Sequence, residues 1–445
     1  MNRLIIYLKS ETSIAPLVTL RILFGFIMSV SVVRFLAMGW ADDLYIKPKF
    51  FFSYFGFEWL PVPGETIYIV LALMLLSAVG IMLGFFYRFF AVAFFLIFTY
   101  VELLDKTNYL NHYYFVSLVS FLLIWVPANR AFSIDAWRNP SIRREVVPAW
   151  VIAVFQLQLA IVYIYAGIAK INGPWLLDAM PLKIWLPANN HLPLIGGWLA
   201  EPWVAYAFSW AGAAYDLFIV FFLINARTRV YAYGLVVMFH LVTWVLFPIG
   251  MFPFIMILCT LVFFSDTFHA RMLAAGARVL RLKDLAVTNY SRWELPRPFY
   301  WTLIAFFCIQ IALPWRYVFY PGKLFWTEQG YRFSWRVMLM EKSGYVIFHV
   351  KDRETGKEGD VMPEDFLTPV QVKMMSTQPD MILQFAHFLE RHFAQQGIRD
   401  VEVRAESYVT LNGSGSQPFI DPSVDLTTIS EGFAHKSWIL DAKQL

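Results

Sequence analysis

Residues Thr66–Tyr87 read TIYIVLALMLLSAVGIMLGFFY, an apolar stretch without a single charged side chain. A helix needs about 20 mostly apolar residues to cross the hydrocarbon core of a bilayer, so this stretch predicts a transmembrane helix. The pattern recurs through the first two thirds of the chain and predicts about nine spans. They are Ile14–Met38, Thr66–Tyr87, Phe89–Leu104, Leu110–Val126, Trp150–Ile171, Trp203–Ile224, Val230–Phe247, Gly250–Phe264 and Pro298–Val318.

The charged residues are unevenly distributed along the 445-residue chain. Only 15% of all residues are charged and 59% are apolar, whereas soluble domains carry about 25% charged residues. Of the 68 charged residues, 38 lie in residues 1–318 and 30 in the much shorter segment 319–445. We therefore expect a membrane domain over residues 1–318 and a second domain over residues 319–445, with the boundary near Pro314–Pro321.

The second region has the pattern of a small α+β domain. Tyr345–Val350 and Val401–Val409 alternate between apolar and polar residues, as half-buried strands do. Apolar residues recur at helical spacing from Met381 to Phe393, and Asn412-Gly413 is a turn signal. The predicted fold class is a polytopic α-helical membrane domain followed by a small extracytoplasmic α+β domain.

The basic residues indicate the orientation in the membrane, since cytoplasmic loops are enriched in Lys and Arg. With a cytoplasmic N-terminus and a first span that acts as a signal anchor, four basic residues fall outside: Lys47, Lys49, Lys106 and Lys183. This orientation places residues 319–445 outside the cytoplasm. The fifteen basic residues on the cytoplasmic side are Arg3, Lys9, Arg88, Arg130, Arg138, Arg143, Arg144, Arg227, Arg229, Arg271, Arg278, Arg281, Lys283, Arg292 and Arg297.

Several function classes lack their sequence signals. Cys259 and Cys308 both lie in apolar runs, and no CxxC motif or His/Cys cluster accompanies them, so we expect no metal site. The sequence contains no phosphate-binding glycine loop and no GxSxG motif. The basic residues lie in short loops and form no single stripe, so we expect no nucleic-acid partner. The lipid bilayer is the expected surrounding.

Polar residues within or beside the spans are the candidate functional residues, because ionisable groups in hydrocarbon are rare and costly. In the predicted topology, three separate segments bring polar groups to the same outer face of the membrane. Asp216 and His240 lie within the sixth and seventh spans. The residues that converge at the outer face are Asp105, Asn108, Asn111, His112 and Lys170.

Each of these residues also has a structural interpretation. Lys170 could extend its amine to water from a helix end, and His240 could be a buried histidine hydrogen-bonded to a carbonyl. Asp216 could neutralise Arg21 or another basic residue between helices. Asn108 and Asn111 are suitable helix caps.

The residues before Lys170 favour a functional role for it. Tyr163, Ala166 and Gly167 share a helix face with Lys170, and the two small residues predict a notch beside the amine that admits a flat ring. Apolar surroundings disfavour a charged amine, so we expect a neutral amine that acts as a general base. His112 or Asn111 nearby could donate a hydrogen bond to a developing oxyanion.

Four ordered motifs resemble those of the vitamin K-dependent gamma-carboxylases, whose shared membrane region is called the horizontally transferred transmembrane domain. The resemblance covers most of residues 10–440. The motifs are LDKTNYLNH at Leu104–His112, YAGIAK at Tyr165–Lys170, Phe239-His240 followed by FPIGMF at Phe247–Phe252, and GYRFSWRVM at Gly330–Met338.

The resemblance implies an enzyme that uses reduced vitamin K, either phylloquinol or menaquinol, with O2 and CO2 as co-substrates and no metal. Lys170 would be the catalytic base, and His112 with Asn111 would stabilise oxyanions. Epoxidation of the naphthoquinol would generate the strong base that removes a γ-proton from a glutamate in a protein or peptide. The implied cofactor-binding residues are Tyr163, Ala166, Gly167, His240, Met251 and Asn108.

This chain departs from the animal enzymes in ways that bear on the substrate. Ala169 stands where those enzymes have a second lysine, and the outer domain is much shorter. The resemblance therefore supports quinol epoxidation more directly than peptide carboxylation. Two alternatives stay open: a non-catalytic quinone- or lipid-binding membrane protein whose outer domain binds a partner, and a membrane anchor in which the polar residues serve helix packing.

Overall fold

A computed structural model describes residues 2–279, 281 and 293–442 of the chain. Lys283 and Arg292, two of the basic residues assigned above to the cytoplasmic side, lie outside the described residues. The N-terminal part is a bundle of apolar helices, and a small sheet-containing unit follows it, so the predicted fold class is confirmed.

Among the described residues, six helical segments are long and apolar enough to cross a membrane. A helix satisfies its backbone hydrogen bonds internally, and these segments consist mainly of Leu, Ile, Val, Phe and Ala, whose side chains match apolar surroundings. Four are single helices: α1 (Ala15–Ala37), α5 (Trp150–Ala169), α6 (Pro202–Ile224) and α7 (Arg229–Leu246). The other two are α2 (Ile67–Leu83), which with the preceding turn forms the span Gly64–Leu83, and α10 (Arg297–Ala312), which with the following turn forms the span Pro298–Phe319.

The remaining predicted spans are shorter than expected, so nine was too high a number. Helices α3 (Tyr87–Leu103) and α4 (Asn111–Trp125) have 17 and 15 residues. The predicted span Gly250–Phe264 is the short helix α8 (Phe252–Thr260) with a further turn, bent by 118° against α9 (Asp266–Val279). Counting that bent pair as one span gives at most seven spans among the described residues.

The helix connections away from the C-terminal domain are tied together by buried polar contacts. Strands β1 (Glu11–Ser13) and β2 (Val146–Pro148) pair antiparallel beside the start of α1. Arg21 is fully buried and donates to the carbonyls of Ala128 and Phe132. Arg21 therefore does not need Asp216 as its partner, which was one of the interpretations left open by the sequence.

The C-terminal part has the predicted α+β fold. Its elements are β3 (Lys342–Asp352), β4 (Glu358–Val361), α11 (Pro369–Met375), α12 (Pro379–Gln395), β5 (Val401–Leu411) and β6 (Gln417–Pro418). The antiparallel sheet has the order β4-β3-β5-β6 and packs against α12. Asn412 and Gly413 both have positive φ in the turn that follows β5, as their sequence predicts.

Shorter elements complete the described chain. The short helices and helical turns are Asn2–Lys9, Asp42–Ile46, Gly64–Thr66, Lys106–Asn108, Ile134–Arg138, Pro140–Ile142, Gly173–Leu176, Leu182–Trp185, Pro187–Asn189, Gly196–Leu199, Leu261–Phe263, Leu313–Phe319, Leu324–Thr327, Pro363–Asp365 and Leu426–Thr428.

The two parts share both a core and a partly buried network of ion pairs. Phe52, which precedes α2, is fully buried in the apolar core of the C-terminal domain. The side chain of Gln371 donates to the Asp105 carboxylate at 3.0 Å. Asp380, at the start of α12, pairs with Lys106 at 3.1 Å and with Arg332 at 2.7 Å. The C-terminal domain is therefore docked on the segment between α3 and α4.

The two cations determine the ionisation of Asp380. Burial alone would raise its pKa, but the charges of Arg332 and Lys106 outweigh burial and hold the pKa well below its ordinary value. Because the pKa is depressed from about 3.9 in the unfolded chain, the carboxylate stabilises the fold at and above about pH 4 and loses this contribution as the pH falls further.

We predict that Asp380→Asn loosens the docking. The side chain is 31% exposed, so we expect a loss of about 1.5–2 kcal/mol in unfolding free energy at pH 7, the low end for hydrogen bonds to charged groups. The difference from the wild type should shrink below about pH 4. Denaturant unfolding in detergent, followed by tryptophan fluorescence, measures both effects. Asp365→Asn, at an exposed carboxylate, is the control, and equal losses in the two variants would contradict the prediction.

Candidate functional site

The polar segments expected to converge do lie against the C-terminal domain. Asn111, at the start of α4, donates from Nδ2 to the carbonyl oxygen of Arg336 at 3.2 Å. Beyond the end of α5, Ile171 and Asn172 line a cavity together with the turn Leu411–Ser414 that follows β5. The outer ends of α4 and α5 therefore face the same domain, as the predicted topology requires.

A cavity of about 540 Å³ lies between α4, the loop before α8 and the C-terminal domain. We call it the histidine cavity, because the His112 imidazole is part of its wall. Met251 and Phe252 supply apolar wall, and Asn111 supplies a polar group beside the histidine. The structure thus brings three of the predicted site residues together: Asn111, His112 and Met251.

The rings of two histidines, His112 and His240, lie close to the ring of Phe252. Its ring is 5.6 Å from the His112 ring and 5.7 Å from the His240 ring, measured between centroids. His240 Nε2 lies 3.3 Å from the Tyr163 hydroxyl, and His240 Nδ1 is a buried atom without a hydrogen-bond partner among the described residues. Tyr163 and His240 therefore form a polar pair behind Phe252, within the helices.

Lys170 lies at the end of α5 and is buried against α6. Its Nζ is 2.7 Å from Asp216 Oδ2, and both side chains are less than a tenth exposed. The amine also lies 5.4 Å from the centre of the Trp175 ring and 3.4 Å from the Ala166 carbonyl oxygen. The amine is thus held by a carboxylate, an aromatic face and a backbone oxygen, and does not extend into water.

The notch expected beside Lys170 is filled. A Cβ added to Gly167 would lie 2.7 Å from the backbone nitrogen of Leu217, so α5 and α6 pack in direct contact at this point. Ala166 is buried in the same interface. The small residues therefore allow two helices to approach closely, as small residues commonly do in membranes, and the expectation of a ring-sized space there was wrong.

Lys170 and His112 do not meet directly. Lys170 does not line the histidine cavity, and no described contact joins it to His112. Ile249 and Met338, which do line that cavity, pack against an apolar cluster that includes Ala169 and Trp175. The apolar cluster beside the buried ion pair therefore also contacts the wall of the histidine cavity.

Asn108 lies in a different cavity. This aromatic cavity, of about 310 Å³, is lined by residues that include Phe95, Phe121 and Phe333, with Glu102 among them. Glu102 accepts a hydrogen bond from Ser117 at 2.5 Å. Asn108 therefore lines a different cavity from Asn111 and His112, although the sequence analysis placed all three at one site.

Other buried charges line the histidine cavity on the side of the C-terminal domain. Lys342 pairs with Glu328 at 2.9 Å, and burial lowers the pKa of Lys342 although Glu328 acts in the opposite direction. Asp105, which does not line this cavity and accepts a hydrogen bond from Gln371, has a pKa that burial raises. Sequence analysis did not select Lys342 or Glu328, because they look like ordinary surface residues of a soluble domain. Lys342 is buried by contacts inside the C-terminal domain, where it donates to the Trp326 carbonyl oxygen and lies 4.5 Å from the centre of the Phe419 ring.

Comparisons with known proteins agree with the motifs. A family model described as "HTTM domain" matches residues 10–268. A second model, described as "Vitamin K-dependent gamma-carboxylase, lumenal domain", matches residues 296–444. No solved structure matches the chain. Within the described residues, no group of three or more His, Cys, Asp or Glu side chains is placed to hold a metal ion.

We predict that the Lys170–Asp216 pair behaves as one unit in stability. Breaking a buried ion pair from one side leaves an uncompensated charge and costs about 3–5 kcal/mol, whereas replacing both partners by apolar residues is often neutral. Lys170→Met and Asp216→Leu should each destabilise the protein strongly, and the double variant should recover most of the loss. Denaturant unfolding in detergent micelles measures the three variants against the wild type.

The exposed pair Lys47–Asp43 is the matched control for this cycle. Lys47→Met and Asp43→Leu, singly or together, should leave the unfolding curve nearly unchanged, because exposed pairs are screened by water. Additive losses for Lys170→Met and Asp216→Leu would contradict the described pairing.

Proposed function

The chain belongs to the vitamin K-dependent gamma-carboxylase family, and on that basis we propose that it couples epoxidation of reduced vitamin K by O2 to carboxylation of a peptide glutamate with CO2. It is an integral membrane protein with a C-terminal domain of the lumenal type. We propose further that the N-terminus is cytoplasmic and that the domain boundary lies between residues 318 and 319. The observation that carries the proposal is the buried Lys170–Asp216 pair at the end of α5.

The histidine cavity fits the head group of reduced vitamin K, whether phylloquinol or menaquinol. Its apolar wall includes Phe252 and Met251, and its polar groups include Asn111 and His112. Pockets for small molecules typically combine apolar walls with a few such polar groups. The unpartnered Nδ1 of His240 behind Phe252 is a further hydrogen-bonding atom in this region. When bound, the quinol supplies the reducing equivalents and the driving force for proton abstraction from carbon.

Lys170 and Asp216 can form a proton-accepting unit. In surroundings of low dielectric, charge separation is costly, so the form with a neutral amine and a protonated carboxylic acid competes with the ion pair. Asp216 then holds the proton, and Lys170 Nζ is free to accept another from a cofactor hydroxyl. The flexible four-carbon stem of lysine allows the amine to turn from Asp216 toward the histidine cavity.

His112 and Asn111 are proposed to stabilise negative charge on oxygen. Side-chain N–H groups aimed at a developing oxyanion act strongly where water is excluded. Asn111 is held in place because its Nδ2 donates to the Arg336 carbonyl, and His112 is held by the rings of Phe252 and Tyr113. Tyr163, His240 and Met251 are proposed to surround the cofactor, whereas Ala166 and Gly167 act through helix packing and Asn108 lines the separate aromatic cavity.

We predict that Lys170→Ala and His112→Ala each lower epoxide formation by at least about 100-fold, the scale of a lost general base or oxyanion donor. The assay starts anaerobically with reduced vitamin K, labelled bicarbonate and a Glu-containing peptide, then admits oxygen and follows epoxide and carboxylate separately. Lys49→Ala and His191→Ala, at exposed positions, are the matched controls and should retain wild-type rates.

The outcomes separate the candidate functions. Epoxide formation that is unaffected by Lys170→Ala would contradict the role of Lys170. Quinol binding by the wild type without any oxygen consumption would favour the non-catalytic quinone-binding protein. If the two alanine variants change stability alone, the polar residues serve helix packing.

A further inference from the structure

Arg336 lies between two cavities of the docked C-terminal domain. It lines the histidine cavity and also a larger cavity of about 720 Å³, which we call the outer cavity. The outer cavity extends from Asn172, just after α5, to the turn Leu411–Ser414. Arg336 is therefore part of the wall of both cavities, and His112 belongs to the wall of one of them.

The Arg336 guanidinium is buried without a carboxylate partner. The residue is 9% exposed, and its Nε has no hydrogen-bond partner among the residues that the structure describes. Its Cζ lies 4.4 Å from the centre of the Tyr317 ring. No described carboxylate lies within 4.0 Å of it. The two glutamates that line the histidine cavity have other partners, since Glu328 pairs with Lys342 and Glu341 accepts from Trp185. A buried charge without a counter-ion is costly, so the site favours an anionic ligand.

The backbone around Arg336 is held in an uncommon conformation. Phe333, Trp335 and Met338 all have positive φ, between 55° and 60°, which is costly for side chains of this size. The Arg336 carbonyl oxygen accepts hydrogen bonds from Asn111 and from the Tyr331 hydroxyl, each at 3.2 Å. Such strain is typical of functional sites. Arg336 is therefore fixed relative to Asn111, a proposed catalytic residue.

The charges of the outer cavity suit the same kind of ligand. Lys183 and Lys323 line it together with Arg336, against a single acidic residue, Asp178. A surplus of positive charge in a cleft attracts anions and raises their rate of entry. Arginine matches a carboxylate with two parallel N–H donors, so the ligand class with the best fit is a carboxylate.

We propose that Arg336 binds the side-chain carboxylate of the substrate glutamate, which enters through the outer cavity; this assignment rests on the proposed function. In the reaction, the Cγ–H bond of that glutamate breaks and its proton passes to the base produced by quinol oxidation. The electron pair left on Cγ is shared with the adjacent carboxylate, whose added charge the guanidinium stabilises. Cγ then forms a bond to the carbon of CO2, which gives a dicarboxylate.

The test measures binding in the absence of quinol. Full-length protein in nanodiscs is titrated into a labelled short peptide with one central Glu, or into its Gln twin, and anisotropy gives both dissociation constants. The wild type should bind the Glu peptide about 10- to 100-fold more tightly than the Gln peptide, the range for a hydrogen-bonded charged group. Arg336→Met should abolish this preference, and Arg399→Met, at an exposed arginine, should keep it.

Arg336→Lys retains the charge but lacks the paired donors, so its preference should fall between those of the wild type and Arg336→Met. If Arg336→Met does not fold, the lysine variant decides the question, and a full wild-type preference in it would overturn the assignment. Equal affinity of the wild type for both peptides would also overturn it. A wild type that prefers the Glu peptide but forms no epoxide would instead refute the proposed function and leave the carboxylate site standing.

Discussion

The contact between Lys170 and Asp216 is the interaction on which the proposed function of the membrane domain depends. Two opposite charges 2.7 Å apart, one on α5 and one on α6, must be buried together, because either one alone would be prohibitively costly in apolar surroundings. The contact therefore fixes how the two helices pack. It also gives the amine a neighbour that can hold its proton, which an isolated lysine in hydrocarbon would lack.

Docking of the C-terminal domain creates the remainder of the site. Phe52 of the membrane part completes the core of that domain, and Lys106 pairs with its Asp380. The histidine cavity has walls from both parts, and Arg336 reaches it from the C-terminal side. In the proposed reaction, an apolar cofactor and a polar peptide would therefore meet at a cavity whose walls come from both domains.

The sequence predicted the features that depend on local pattern. Long apolar runs predicted most of the helices, and alternation of apolar and polar residues predicted β3 and β5. Both signals depend only on residues that are close together in the sequence. The partner of Asp216 could not be predicted, since 46 residues separate it from Lys170 and a basic residue on another helix was an equally good candidate. The space expected beside Gly167 was wrong because a position without a side chain can be filled either by a ligand or by a neighbouring helix. In the structure, Leu217 of the neighbouring helix fills it. The number of spans was overestimated because an apolar run does not reveal where its helix ends. Gly250–Phe264 is apolar throughout, but its helix is short and a sharp bend follows it.

The claim that the Lys170–Asp216 pair acts as the base is tested most directly by locating its proton. Infrared difference spectra, recorded as reduced vitamin K is added without oxygen, report the protonation of buried carboxyl groups. We predict a new band of a protonated carboxylic acid that is absent in Asp216→Asn and is unchanged in Asp365→Asn. A spectrum in which quinol binds and Asp216 stays ionised would contradict it.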